Sequence, residues 1–167
     1  MSVIETAVEQ DEATAAQAWV EGFIEGWRAP AGPESFAAHF KPMLDPEVRM
    51  IQPQLPACIG HRAFEEQFVR PLFELIPDVR GEVEHWAMRG NRLYIELTLH
   101  GHIAGRPVRF RACDRITLRD GLAVERVSYA DPTQLLAPVA RTPRAWGRFV
   151  RIQGRALANS LTTRRTP

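Results

Sequence analysis

The 167-residue sequence predicts an α+β fold, with helices first and an antiparallel sheet second. Three observations predict it. Up to Leu75, apolar residues recur three and four apart. From Gly81 to Ala130 they alternate with polar ones. The alternating runs are separated by Gly90-Asn91, Gly105-Arg106 and Asp120-Gly121, dipeptides suited to hairpin turns. The length suits one domain with a core of its own. A net charge of +1 gives no whole-chain basic footprint for nucleic acid. No stretch approaches a membrane span. The N-terminus MSVIETAVEQDEATAAQ lacks the basic and apolar regions of a signal peptide, so a cytoplasmic location is expected. Cys58 and Cys113 read as reduced structural thiols.

Residues 1–10 read as a loose tail. From about Asp11 to Arg28, the positions Ala15, Ala18, Trp19, Gly22, Phe23 and Trp27 trace a helical face, with Thr14 or Asp11 as N-cap. Pro30 ends it. A second helix, roughly Glu34 to Leu44, carries Phe36, Phe40 and Leu44 on one side. Asp45-Pro46 stops it, and Val48 to Ile51 reads as a strand. Gln52 to Gly60 is too rich in proline for a ladder and is expected to be a loop. A third helix from about His61 to Leu75 carries Phe64, Phe68, Leu72 and Leu75, and Pro71 should kink or break it. Four strands follow, at 81–89, 92–102, 108–119 and 122–130. Residues 137–167 form a basic helical extension in which Arg144, Arg148, Arg151 and Arg155 make a stripe. Trp146, Phe149, Val150, Gln153 and Leu157 face elsewhere on the same helix. It is expected to cover the sheet edge or the pocket mouth, with its arginines solvated or attracted to the acidic N-terminus.

The third of these strands holds the most informative residue. Read with period two, Phe110, Ala112, Asp114, Ile116 and Leu118 share one face, and Asp114 is the only ionisable group on it. An unpaired carboxylate there costs several kcal/mol by order of magnitude, so it is either a paired structural group or a pocket acid. A turn pairing Ala104 with Pro107 sets Leu97 opposite Asp114, Leu99 opposite Ala112 and Glu96 opposite Arg115. His100 and His102 then face Arg111 and Arg109, whose positive field disfavours a metal, and none is expected.

Other pieces carry a family resemblance. They are the opening amphipathic helix, the Ile59-Gly60-His61-Arg62-Ala63-Phe64 entry to the third helix, Pro77-Asp78, and the segment LRDGLAVERVSYADP from Leu118 to Pro132. The last is close to the "dG.i.....y.Dp" ending of SnoaL-like proteins. With them, residues 11–136 resemble the NTF2-like superfamily, which includes SnoaL-like polyketide cyclases, ketosteroid isomerases and limonene epoxide hydrolases. The resemblance implies a curved sheet wrapped round a conical apolar pocket, dimers packed through sheet faces, and, for the cyclases, catalysis without a cofactor.

ACDRITLRDG resembles the isomerase strand bearing the protonated oxyanion-hole aspartic acid, and Asp114 falls on that residue. Phe23 stands where the isomerase has tyrosine, and Gln52 where it has the general-base aspartate, so steroid isomerisation by that route is not expected. Leu97, Leu99 and Ser128 stand where the epoxide hydrolases place their arginine and two aspartates, so that triad is missing too.

The candidate catalytic residues are therefore Asp114, with His85 or Arg126 assisting. A two-residue Gly90-Asn91 turn puts His85 on the reverse face and Trp86 in the pocket; a bulge would reverse that. A strict Asp120-Gly121 turn sends Glu125, Val127 and Tyr129 inward, whereas the family alignment sends Arg126, Ser128 and Ala130 inward. In the second case Arg126 could hold Asp114 ionised. The pocket is expected to be lined by Phe23, Trp27, Gln52, Phe68, Trp86, Leu97, Leu99, Ala112 and Ser128. The function read from this is a cofactor-independent acid/base enzyme of isomerase, cyclase or hydrolase type on a hydrophobic oxygenated small molecule. The alternative is a non-catalytic binding or dimeric interaction domain.

Overall fold

The computed structural model describes residues 3–53, 57–144, 146–147, 149–152 and 154. Helix α1 (Val3–Arg28) opens the chain and already includes most of the segment expected to be a tail. Helix α2 (Pro33–Phe40) starts with proline at its first turn, where a missing N–H costs nothing. Strand β1 (Leu44–Ile51) begins earlier than the sequence suggested, and Asp45 caps the bend at Pro46 by accepting the Glu47 N–H at 2.8 Å. The expected loop contains a two-residue strand, β2 (Cys58–Ile59), paired antiparallel to β1.

The third helix is in three parts: α3 (Gly60–Ala63), a π-helical stretch Phe64–Val69, and α4 (Arg70–Leu75). Pro71 explains the middle part. It has no N–H to give to the carbonyl four residues back, and its ring would crowd that carbonyl. The wider turn, in which the Arg70 N–H reaches Glu65 O, makes room for it.

Strands β3 (Arg80–Arg89), β4 (Arg92–Ile103), β5 (Arg106–Arg119) and β6 (Leu122–Ala130) form the expected meander, and the sheet order is β2-β1-β6-β5-β4-β3. β1 lies parallel to β6; the other pairs are antiparallel. The β4–β5 turn is Ala104-Gly105 instead of Gly105-Arg106, with both residues at positive φ (48° and 81°), as in Asp120-Gly121 (51° and 77°). The register is therefore two residues away from the expected one. Ile95 lies opposite Asp114, Leu97 opposite Ala112, and Glu96 opposite Cys113 instead of Arg115. A shift of two keeps every side chain on its face, which is why the hydrophobic pattern could not reveal it.

The core fills the space between the helices and one sheet face. Trp27, Phe36 and Phe40 pack at ring distances of 4.8 Å (Trp27–Phe36) and 4.5 Å (Phe36–Phe40). Helix α1 approaches the sheet at Gly81, where a Cβ would come within 3.1 Å of both Trp27 Cβ and Leu99 Cδ2. After β6 comes α5 (Thr133–Ala140), inside which the expected boundary at residue 136 falls. The described residues from 143 to 154 continue as a further helix; Arg148, Gln153, Arg155 and Leu157 lie outside the described residues. Arg151 meets Glu74 of α4 at 3.3 Å. No helix among the described residues is long and apolar enough to cross a membrane.

Candidate functional site

Alternation along β5 carries Asp114 to the core side of the sheet, where it is fully buried. Its partner comes from β6. The β5–β6 register slips between Thr117 and Leu118, with Leu118 opposite Ala123 and Thr117 opposite Glu125, so Val124 is an extra residue. That bulge turns Arg126, Ser128 and Ala130 inward, the arrangement implied by the family alignment and not by the strict turn.

Arg126, only 8% exposed, donates from Nε to Asp114 Oδ2 at 2.8 Å and sets Nη2 at 2.6 Å from the same oxygen. Two donors on one carboxylate oxygen make a charge-assisted ion pair. Phe68 covers the guanidinium, with its ring centroid 5.0 Å from Cζ. Phe68 belongs to the π-helical stretch, so the wide turn before Pro71 helps set its place.

In front of this pair lies a cavity of about 170 Å³ with an overwhelmingly apolar lining. The sheet supplies Leu99, Phe110, Ala112, Arg126, Ser128 and Ala130. The helices supply Trp27, Phe68, Leu72 and Leu75, and the segment after β6 supplies Leu135, Leu136, Phe149 and Ile152. Its polar groups are Arg126, Ser128, Gln52 and Asp131. Asp131 Oδ1 accepts from the Thr133 hydroxyl at 2.7 Å and from its N–H at 2.9 Å, which holds the carboxyl below the usual carboxylate range. A second hollow of about 20 Å³, lined by Trp19, Phe23 and Phe64 among others, shares Trp27, Phe68 and Arg126 with the first. Beside Gln52 the Cys58 thiol is buried, and burial pushes it up from 9.0 to about 11 against the opposing pull of Arg126.

The expected lining residues Trp27, Gln52, Phe68, Leu99, Ala112 and Ser128 do come together around this cavity. Phe23 lines only the small hollow, and Leu97, opposite Ala112, is sealed in the core and does not line the cavity. Trp86 sits on the inward side opposite Ile95, but on edge strand β3, and remains 40% exposed outside the cavity. Asp114 lies behind Arg126 and does not line the cavity. His85 is exposed on the reverse face opposite Glu96; the β3 bulge at Glu84 precedes it and so leaves its orientation to the Gly90-Asn91 turn.

His100 lies opposite Arg109 and His102 opposite Pro107, again by the two-residue shift. Each faces an acid, with His102 Nδ1 at 2.6 Å from Asp78 Oδ2 and His100 Nε2 at 3.6 Å from Glu82. Among the described residues no three His, Cys, Asp or Glu side chains converge as metal ligands. Sequence reasoning missed Asp131 and the α5 and C-terminal residues. The only signals for them were the Asp131-Pro132 turn and the apolar pair Phe149 and Ile152, one helical turn apart.

A family model described as the SnoaL-like domain matches residues 20–126. Comparison with curated proteins gives no match. Among solved structures, a protein of Jannaschia sp. CCS1 assigned as a SnoaL-like polyketide cyclase is 21% identical, with a TM-score of 0.67 over 78% of this chain and 94% of that one. A protein of Catenulispora acidiphila DSM 44928 with a ketosteroid isomerase-like fold, in complex with trimethylamine, is 15% identical, with a TM-score of 0.62 over 72% and 90%. An LEH-like epoxide hydrolase of M. tuberculosis is 16% identical, with a TM-score of 0.61 over 80% and 95%. At these identities the likeness is one of fold.

The ion pair predicts a specific stability pattern. Asp114→Ala, which strands the Arg126 cation, should cost about 3–5 kcal/mol in urea unfolding, while Asp114→Leu combined with Arg126→Met should recover most of that. A double-variant loss equal to the sum of the Asp114→Leu and Arg126→Met losses would mean the pair is not coupled. The raised Cys58 thiol contributes stability that is complete below 9.0 and lost as pH rises through 11. Iodoacetamide at about pH 8 should therefore leave Cys58 unmodified in the folded protein and label it in denaturant. Rapid labelling in the native state would contradict its burial.

Proposed function

The chain belongs to the SnoaL-like domain family within the NTF2-like superfamily, and from that premise we propose that it binds one hydrophobic, oxygen-bearing small molecule in the cavity and acts on it by cofactor-independent acid/base chemistry of isomerase, cyclase or hydrolase type. One observation carries the reading: an apolar cavity presents a guanidinium whose position is fixed before any ligand arrives. Asp114 holds Arg126 from behind and Phe68 holds it from one face. Nε and Nη2 are committed to Asp114, which leaves the Nη1 edge for an occupant of the cavity. A donor preorganised in this way stabilises negative charge developing on a carbonyl oxygen without reorganisation. Asp114 is then a positioning residue that acts through Arg126, and His85 has no part in the chemistry.

Charge selects the ligand further. The Arg126 cation is already neutralised by Asp114, so a ligand carboxylate would set two anions against one cation in an apolar site. A neutral carbonyl or enol oxygen fits, with Ser128 and Gln52 as further polar partners. Asp131 is the carboxylate on the lining that could accept a proton. Held low by Thr133, it is a weak base, suited to a carbon acid already activated by two carbonyls. One solved structure of similar fold carries a small molecule, the Catenulispora protein with trimethylamine. The screening of Asp114 from the cavity favours a second reading, binding without turnover.

Proton exchange separates the two. The wild type should raise its melting midpoint with a cyclic β-keto ester, which is uncharged at neutral pH, and speed exchange of its α-proton into D₂O. Asp114→Asn with Arg126→Gln, which leaves no buried charge unpaired, should lower that rate roughly 100-fold or more. A shift without exchange would leave a binding protein; neither a shift nor exchange with any carbonyl compound would end the proposal.

We also propose a homodimer through the reverse face, where Tyr94 and Tyr129 are 38% and 54% exposed. Sedimentation should give a dimer that Tyr129→Glu dissociates; a wild-type monomer at high concentration would refute it.

A further inference from the structure

The family match ends at residue 126, yet one wall of the cavity comes from chain beyond it. Phe149 and Ile152, one turn apart on the C-terminal helix, both line the cavity; Ile152 is 7% exposed and Phe149 packs against the core. Two contacts hold the helix there. The Trp146 indole N–H donates to the Val139 carbonyl at 3.0 Å and to the Ala140 carbonyl at 3.3 Å, which ties the helix to the end of α5. Arg151 donates to Glu74 of α4 at 3.3 Å, so the helix bridges from α5 to the opposite side of the cavity.

With this wall in place the cavity measures about 170 Å³. A dry cavity of about 150 Å³ holds one benzene ring, and sites for larger organic ligands usually start at about 300 Å³. We infer that the C-terminal helix is the size filter of the site: Phe149 and Ile152 restrict the buried part of the ligand to about one six-membered ring. This rests on the cavity being the ligand site proposed above. It narrows the substrate class to monocyclic carbonyl compounds and sets multi-ring polyketides and steroids aside.

The test uses the full chain and two hydrocarbons, toluene and naphthalene, with dissociation constants from NMR titration. Because neither probe carries oxygen, the result is independent of any role for Arg126. Wild type should bind toluene more tightly than naphthalene. Phe149→Ala or Ile152→Ala should raise naphthalene affinity about tenfold or more. Phe149→Trp, which fills space instead of emptying it, should weaken toluene by a similar factor. Naphthalene binding wild type as well as toluene does, a preference unmoved in all three variants, or no hydrocarbon binding at all would each overturn the filter. Cyclohexanone, titrated in parallel against the wild type and the Asp114→Asn, Arg126→Gln double variant, reports separately on the functional reading. A size preference without any dependence on that pair would keep the filter and remove the proposed oxygen site.

Discussion

A carboxylate on the buried face of the central strand β5 is the constraint around which this molecule is arranged. Asp114 has no solvent and lies between Ala112 and Ile116 on its own face. Such a group is tolerated only with a partner, and Arg126 is placed to be one, itself buried and bonded twice to the same oxygen. The pair is costly to make and costlier to break. A well-packed apolar pair would fill the same space with nearly the same stability, so stability alone does not account for it. What the pair does provide is a cation held rigidly at the wall of an apolar cavity.

Local irregularities do the placing. The extra residue Val124 in β6 reverses the inward set of that strand, so that Arg126 and Ser128 face the cavity and Glu125 turns outward to meet Arg115 at 2.9 Å. The π-helical stretch ahead of Pro71 holds Phe68 against the guanidinium. Each is a small departure from a regular period, and each lies within a few residues of the group it serves.

The last part of the chain completes the site. Residues up to 126 alone would leave the cavity open on the side that α5 and the C-terminal helix cover. Leu135, Leu136, Phe149 and Ile152 cover it with apolar side chains, and the Arg151–Glu74 contact fixes the cover from outside. The scaffold thus comes from the shared fold, while part of the cavity wall comes from residues beyond the family match.

By itself the sequence determined the fold class, the element order, the break at Pro71 and the singular position of Asp114. These depend on local periods and on backbone rules for proline and glycine, which act within a few residues. It also marked part of the cavity lining, because Trp27, Phe68, Leu99 and Ala112 fall on faces that periodicity identifies. Tertiary structure alone decided the rest. The β4–β5 register put Ile95 instead of Leu97 opposite Asp114, since a shift of two residues conserves every face and leaves no trace in the pattern. The Val124 bulge chose Arg126 over Glu125, because one extra residue inverts all that follows it and no dipeptide announces it. Strand order put Trp86 at an exposed edge, and only the packed chain brought Phe149 and Ile152 to a cavity whose other walls lie far away in sequence. Such contacts are fixed by the shape left over when all elements have packed, which no local stretch encodes.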